Sequence, residues 1–580
     1  MNIPLELKKM LNGDEGSTKQ KAASLVVDLA STAGANEFIK CSHAHVSGVS
    51  PLTGGHGLRR FLQDLSEDKN ASVEIPTTLN SAGCDKEKIK EMDIQVNDFL
   101  EHQFEIIHSY SKLGIEAILS CTPYDRGIDV NGIGSWAESN AVAFSNSYTS
   151  LITNRESGLS ALSTALTGWA PKWGLHIEEN RAPNIHVIVD CELEYISDWS
   201  ILGDWIGKQI DPGWNLPWGM MPYITGLPKN PSFESKKALT AAAANYGCPM
   251  LWADGITKTP NVDKDWVPQA ELKFTKEDLS SRYEELSPKG QVDLVVIGCP
   301  QASVGEVRAT AAAVRSRMEF GEKIPDQRLW VFTSGRNHEL LEQEGTLDVL
   351  EEAGALILKD TCPEVTPYNR IKYNHLLTNS LKAEHYLTSG LNRIPTSVMN
   401  IIDCVSHAFD PNLSKGKHPI LGSKVKEIFS TNKVHKIGNL ISQGCGLPSQ
   451  KEWSVKGNAL VTDVPITYLG YVNRDTGVIE EPGHPLDGQS IEDTILIYPK
   501  GSGSTVAPFV LMGLIYTGKG PKAIINNDVC PLTLPACSLL NLPYAYGMSD
   551  DLCIEINTGD EIEMNLIDGD VQLVVTERRV

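Results

Sequence analysis

The chain has 580 residues, 41% of them hydrophobic and 21% charged, with a formal net charge of −22. Single cores stop growing near roughly 250–300 residues, so more than one domain is expected. The acidic balance opposes phosphate backbones and anionic lipid, which sets nucleic-acid and membrane partners aside. No stretch is long and apolar enough to span a bilayer. The first twenty residues carry acids early and lack an apolar run, so neither a secretory signal nor a transit peptide is read and a cytoplasmic protein is expected. The twelve cysteines include no CxxC pair. In a cytosolic chain they stay reduced, mostly as small buried hydrophobes.

Ser17 to Ala33 reads as an amphipathic helix. Val73 to Leu79 reads as a strand, Asp85 to Leu113 as a helix, and Ile115 to Ser120 as a short apolar strand ending at Cys121-Thr122-Pro123. Asn184 to Val189 is a further strand. Asp211 to Pro231, rich in Pro, Gly and Trp, reads as an ordered loop insertion. Val292 to Gly298 is a nearly continuous apolar strand running into Cys299-Pro300. The next helix opens at Ser303 with Glu306 three residues on, the signature of a capping box. Leu329 to Thr333 and Ala355 to Leu358 are strands, the second followed by Asp360-Thr361-Cys362-Pro363. Strands alternating with helices give an α/β class.

Around residues 430–455 the chain changes character. Ser442 to Ser449 reads as a small-residue linker, and short strands with Gly, Pro and Asp turns follow it. The expected division is a large catalytic part over 1–430, a linker over 431–454 and a β-rich domain over 455–580. The focus of the last is Pro499 to Thr505, a Gly/Ser loop between a strand (494–498) and a helix (506–516).

Three short strands thus end in Cys121, Cys299 and Cys362. Ligands collect at that end of open α/β sheets. Three thiolates on a polynuclear iron cluster would leave one iron free as a Lewis acid. The same pattern also describes three buried loop cysteines beside prolines. Cys404 lies in an apolar run and reads as core. Ser504 stands before a helix N-terminus, where it could act as a base, bind an anion or simply cap the helix. The loop lacks P-loop spacing, which removes nucleotide binding. Arg155, flanked by Asn154 and Glu156, suits a carboxylate clamp or a salt-bridged terminus. The polar stretch 135–140, with Glu138, is read together with that clamp, and segment 173–181, with His176, Glu178 and Glu179, offers acid–base groups or a solvated face. His43 and His45 share one side of a strand, as a metal pair or as a satisfied polar loop.

Taken together, these segments resemble the aconitase X family. The large-subunit pattern stands here as HVSGVS (45–50), CTPY (121–124), WAESNAVAFSNS (136–147), TNRESG (153–158), WGLHIEENR (173–181), DWSILG (198–203), GCPQAS (298–303), DTC (360–362) and TNS (378–380). The small-subunit pattern stands as PITYLGYVNRDTGVI (465–479), PKGSGST (499–505) and GKGPKAIIN (518–526). The resemblance implies an aconitase-like, multi-layer α/β large domain and a C-terminal swivelling domain fused in one chain, so that no partner chain is obligatory. It places an iron–sulfur cluster, of two, three or four irons, on Cys121, Cys299 and Cys362, and the family's small-domain serine on Ser504. The activity it implies is dehydration of a small hydroxy acid. Fused chains of the family are associated with cis-3-hydroxy-L-proline, which gives Δ1-pyrroline-2-carboxylate; two-subunit archaeal enzymes are associated with mevalonate 5-phosphate.

On that reading Ser504 is the base, and Lys382 or His176 returns a proton to the departing oxygen. Ser47, Glu138, Asn154, Arg155 and Thr505 bind substrate. This sequence departs from the archaeal pattern at Gln301, where His is usual after GCP, at Leu381, where Gly follows TNS, and in an insertion around 204–230. Three rival readings stand beside it: the mevalonate 5-phosphate reaction, a non-enzymatic cluster protein that binds nucleic acid, and a metal-free isomerase or carrier.

Overall fold

The computed structural model describes residues 1–126, 131–210, 219–258, 260, 266–410, 441–527 and 529–578. The described residues form three parallel sheets, a two-stranded antiparallel pair of Phe38–Lys40 with Trp169–Pro171, and one closed barrel.

The first sheet has strands Thr77–Leu79, His43–Val46, Asn131–Trp136 and Ser150–Arg155 in that spatial order, all parallel. The second orders Ala270–Thr275, Ile185–Asp190, Pro222–Thr225 and Trp252–Ala253, also parallel. The third orders Leu356–Lys359, Leu329–Thr333, Leu294–Ala302, Leu376–Thr378 and Thr396–Val398. Every residue of Leu294–Ala302 is buried, as the uninterrupted apolar run requires of a central parallel strand. The helix after it, Val304–Met318, opens on the Ser303/Glu306 capping box and buries Val307, Ala311 and Val314 at helical spacing.

In the first and third sheets the strand order reverses beside an early strand. His43–Val46 lies between Thr77–Leu79 and Asn131–Trp136, and Leu294–Ala302 lies between Leu329–Thr333 and Leu376–Thr378. Loops leaving the carboxyl ends on either side of such a point diverge and open a crevice. The carboxyl ends of these two sheets meet around one crevice.

The C-terminal unit closes strands Ile441–Gly446, Tyr544–Tyr546, Ala523–Asn526, Ile495–Ile497, Trp453–Val461, Glu561–Ile567 and Asp570–Glu577 into a barrel. Its helix Ala507–Tyr516 lies against helix Pro51–Ser66 of the N-terminal part. The contact is at backbone distance: a Cβ on Gly57 would stand 2.6 Å from the Gly513 nitrogen and 2.7 Å from its Cα. Phe509 fills the space beside Gly48 and Gly158, where an added Cβ would come within 2.1 and 2.8 Å of its ring. Asp28 ties the same two parts together. It accepts from the Ser449 N–H at 2.9 Å and from the hydroxyls of Ser449 and Ser538.

Several expected elements differ. The segment Ser442 to Ser449 is not a linker throughout, because Ile441–Gly446 pairs antiparallel with Asp570–Glu577; residues 431–440 lie outside the described residues. The helix expected over 85–113 is confined to Phe99–Lys112. Ahead of it Asp93 and Asp98 take positive φ, and the Asp85 side chain accepts from the Glu87 N–H. Such local bonds compete with helix formation. Residues 115–120 form only a bridge from Glu116 to Thr78, and Leu119 sits at φ 48°. Of the insertion read over 211–231, residues 211–218 lie outside the described residues and Pro222–Thr225 is a strand.

Candidate active site

Each strand that ends at the crevice delivers a short polar loop to it. Ser47 to Ser50 follow His43–Val46, Asn80 and Ser81 follow Thr77–Leu79, and Glu138 follows Asn131–Trp136. Cys299 lies where the register of Leu294–Ala302 breaks. Cys362 and Glu364 follow Leu356–Lys359, and Lys382 follows Leu376–Thr378. Ser504 to Val506 follow barrel strand Ile495–Ile497. All of these residues line one cavity, which opens to solvent.

The three cysteines are 3%, 4% and 5% exposed. Burial pushes the Cys121 thiol up to about 11 and those of Cys299 and Cys362 well above the usual thiol range. Left alone, these groups are neutral thiols. A bound cationic centre would reverse that preference. Two of the sulfurs already meet backbone donors: the Gln301 N–H stands 3.3 Å from Cys121 Sγ, and Cys362 accepts from Val365. Among the described residues no three His, Cys, Asp or Glu side chains converge as a single metal ion requires. The donor set, three thiols spread around one cavity, fits a polynuclear group. None of the other cysteines lines this cavity.

Lys382 and Glu138 form a buried ion pair across it. Burial alone would raise the Glu138 pKa; Lys382 and hydrogen bonds from Asn140 and Asn80 hold it below the usual value. Burial opposes the charge on Lys382 as well, yet Glu138 and its other neighbours keep it protonated. Glu364 has no hydrogen-bond partner for its carboxyl among the described residues. Burial raises its pKa to about 7, against the pull of Lys382.

Ser504 is held by its neighbours' backbone. Arg155 Nη2 donates to the Gly503 carbonyl at 3.0 Å, and the Gly158 N–H donates to the Thr505 carbonyl at 3.0 Å. Thr505 Oγ1 donates to the Ala137 carbonyl and lies 3.4 Å from Ser47 Oγ. The large part of the chain thus pins this small-domain loop. Among the described residues the Ser504 hydroxyl has one partner, the Val506 N–H at 3.5 Å, and Ser504 lines the cavity.

Of the residues expected here, the structure brings together Cys121, Cys299, Cys362, Ser504, Lys382, Glu138, Ser47 and Thr505. Three others stand elsewhere. His176 is buried behind the first sheet, its ring nitrogens against the Pro171 and Gly134 carbonyls. Burial lowers its pKa, against the two carbonyls that raise it, and it does not line the cavity. Asn154 is used up by the Leu175 N–H and the Trp173 carbonyl. Arg155 holds the serine loop and does not line the cavity. Glu364, Asn80 and Ser81 were not expected. Their signal was available, since each lies within two residues of a strand end or of a strand-end cysteine. His43 and His45 both pack against Trp136, and among the described residues they belong to no group of three or more metal-ligating side chains.

Four family profiles match the chain in order: the aconitase X first domain over residues 2–179, second domain over 183–284, third domain over 292–410 and swivel domain over 449–573. The phosphomevalonate dehydratase large subunit of Methanothermobacter thermautotrophicus is 34% identical, over 68% of this chain and 96% of that subunit. The phosphomevalonate dehydratase small subunit of Pyrococcus abyssi is 34% identical, over 21% of this chain and 90% of its own length. A cis-3-hydroxy-L-proline dehydratase of Pseudomonas aeruginosa is 30% identical, over 66% of each chain. The crystal structure of Thermococcus kodakaraensis aconitase X in its holo-form superposes with a TM-score of 0.63 at 30% identity, covering 70% of this chain and all of that one. No helix among the described residues is long and apolar enough to cross a membrane. With the strand-end crevice, its residues and the match of all four domains, the chain belongs to the aconitase X family of hydro-lyases.

Proposed function

We propose that this hydro-lyase removes water from cis-3-hydroxy-L-proline to give Δ1-pyrroline-2-carboxylate, with an iron–sulfur cluster on Cys121, Cys299 and Cys362. The observation that carries the reading is Ser504, held on a pinned loop and lining the same cavity as the three thiols, with only a long bond from the Val506 N–H on its hydroxyl among the described residues. When bound, such a cluster keeps one iron free of protein ligands and supplies the Lewis acidity that loss of hydroxide needs.

The chain's own residues do the rest. Ser504 takes the proton from C2, which is weakly acidic beside a carboxylate. The N-terminus of helix Ala507–Tyr516 favours its anionic form, and the exclusion of water makes that anion a stronger base. Lys382 and the helix N-terminus at Ser50 face the substrate carboxylate. Glu138 and Glu364 face the ring ammonium. Glu364 and Lys382 are the groups in the cavity able to hand a proton to the departing oxygen. The enamine then becomes the cyclic imine in solution.

Charge supports this substrate. Lys382 is the only Lys or Arg lining the cavity among the described residues, and it is paired with Glu138. One cation already paired with a carboxylate, beside a second acidic group, suits a zwitterion better than a phosphate ester. A second reading, mevalonate 5-phosphate, is favoured by the 34% identity to a phosphomevalonate dehydratase large subunit against 30% to the hydroxyproline enzyme. Anaerobically purified protein assayed on both compounds separates the two: turnover confined to mevalonate 5-phosphate would replace the substrate and leave the reaction class standing.

A further inference from the structure

We propose that Gln301 is the positioning residue that sets the spacing of the three cysteine loops. The proposal rests on the reading of those cysteines as ligands, and the bonds it uses stand apart from that reading.

Gln301 is 1% exposed and lies two residues after Cys299. Its side-chain oxygen accepts from the Cys121 N–H at 3.2 Å. Its side-chain nitrogen donates to the Leu119 carbonyl at 3.2 Å and to the Thr361 carbonyl at 3.0 Å. Its own N–H donates to Cys121 Sγ at 3.3 Å. One amide therefore joins the segment before Cys121 and the residue before Cys362 to the loop of Cys299. These loops come from distant parts of the sequence, and the first of them is not a strand of any sheet.

The loop that carries Gln301 is fixed from its other side. Lys237 Nζ donates to the Gln301 carbonyl at 2.9 Å and pairs with buried Glu306. Ser380 Oγ donates to the Cys299 carbonyl. Gln301 thus stands on a rigid base, and the two other loops hang from its amide.

The chemistry of the side chain is specific. The task needs one acceptor and two donors, which a carboxamide supplies. A neutral imidazole offers one donor and one acceptor, and a carboxylate offers no donor. Partners that orient metal ligands in this way are typically worth about 10- to 100-fold in metal retention.

The test uses the full-length protein, purified anaerobically, as wild type and as Gln301→Leu and Gln301→His. Two quantities are read: iron retained per chain during chelator challenge, and the alkylation rates of Cys121 and Cys362 in iron-free protein, by mass spectrometry. Gln301→Leu is expected to lose iron about 10- to 100-fold faster and to expose both thiols to alkylation, with Gln301→His between it and wild type. If Gln301→Leu does not accumulate, Gln301→His alone carries the comparison. Unchanged iron retention and unchanged alkylation would overturn the proposal. A wild-type chain that binds no iron would defeat the cluster assignment instead, and the alkylation rates would still decide the role of Gln301.

Discussion

At the scale of single residues, the crevice separates groups that hold from groups that react. Thr505 and Arg155 spend their hydrogen bonds on the serine loop, whereas Ser504 spends almost none. Ser504→Ala is therefore expected to lower kcat by about 100- to 10,000-fold, with iron content and visible absorbance as in wild type. Near-normal turnover would remove Ser504 as the base. Lys382→Met strands the buried Glu138 carboxylate without its cation. Breaking such a pair costs about 3–5 kcal/mol, so chemical denaturation should find a much less stable protein, whereas a variant as stable as wild type would show the pair to be solvated. The cysteines were legible in the sequence because each ends a short apolar segment. Asn154 and Arg155 stand off the cavity for a physical reason: a motif names neighbours along the chain, while a strand sends successive side chains to opposite faces; His176 stands off it in the short helical turn Gly174–His176. Asn154 turns to the 173–176 segment and Arg155 to the serine loop.

Among the elements, the junction of helices Pro51–Ser66 and Ala507–Tyr516 sets how deeply the serine loop is seated. The contact is asymmetric. A methyl on Gly57 meets the Gly513 backbone, while a methyl on Gly513 meets nothing within 4 Å. Gly57→Ala should push the helices apart and lower kcat by about 100-fold, the cost of a displacement near 1 Å at the reacting centre. Gly513→Ala should keep wild-type activity and gain about 0.5–1 kcal/mol from helix propensity. Equal effects of the two substitutions on steady-state kinetics would contradict this account of the junction. Elements with strong local signals, such as the capped helix after Ser303 and the apolar strand before Cys299, could be read from sequence. The loop before Cys121 could not, because its apolar residues are held by tertiary bonds such as that from the Ser120 N–H to the Leu79 carbonyl.

For the molecule as a whole, the fusion of large and small parts leaves Asp28 as a buried latch between them. Burial raises its pKa from 3.8 to about 6, against the hydrogen bonds from Ser449 and Ser538. A carboxyl whose folded pKa is raised contributes stability below its unfolded value and loses it as pH rises through the folded one. Relative to Asp28→Asn, wild type should therefore lose on the order of 3 kcal/mol between about pH 4 and pH 6, and nothing further above. Parallel stability curves for the two proteins across that range would show that Asp28 is not buried as a latch. The α/β class and the β-rich C-terminal unit were evident from patterning. The meeting of two sheets' carboxyl ends around one crevice was not, because it depends on strand order, which no local signal encodes.

The most direct test of the central claim is to purify the wild-type chain without oxygen and to measure cyclic-imine formation from cis-3-hydroxy-L-proline against iron content. The account predicts a coloured, iron-containing protein that forms the imine in proportion to its iron. Imine formation by iron-free protein, or a chain that stays colourless after anaerobic reconstitution, would contradict it.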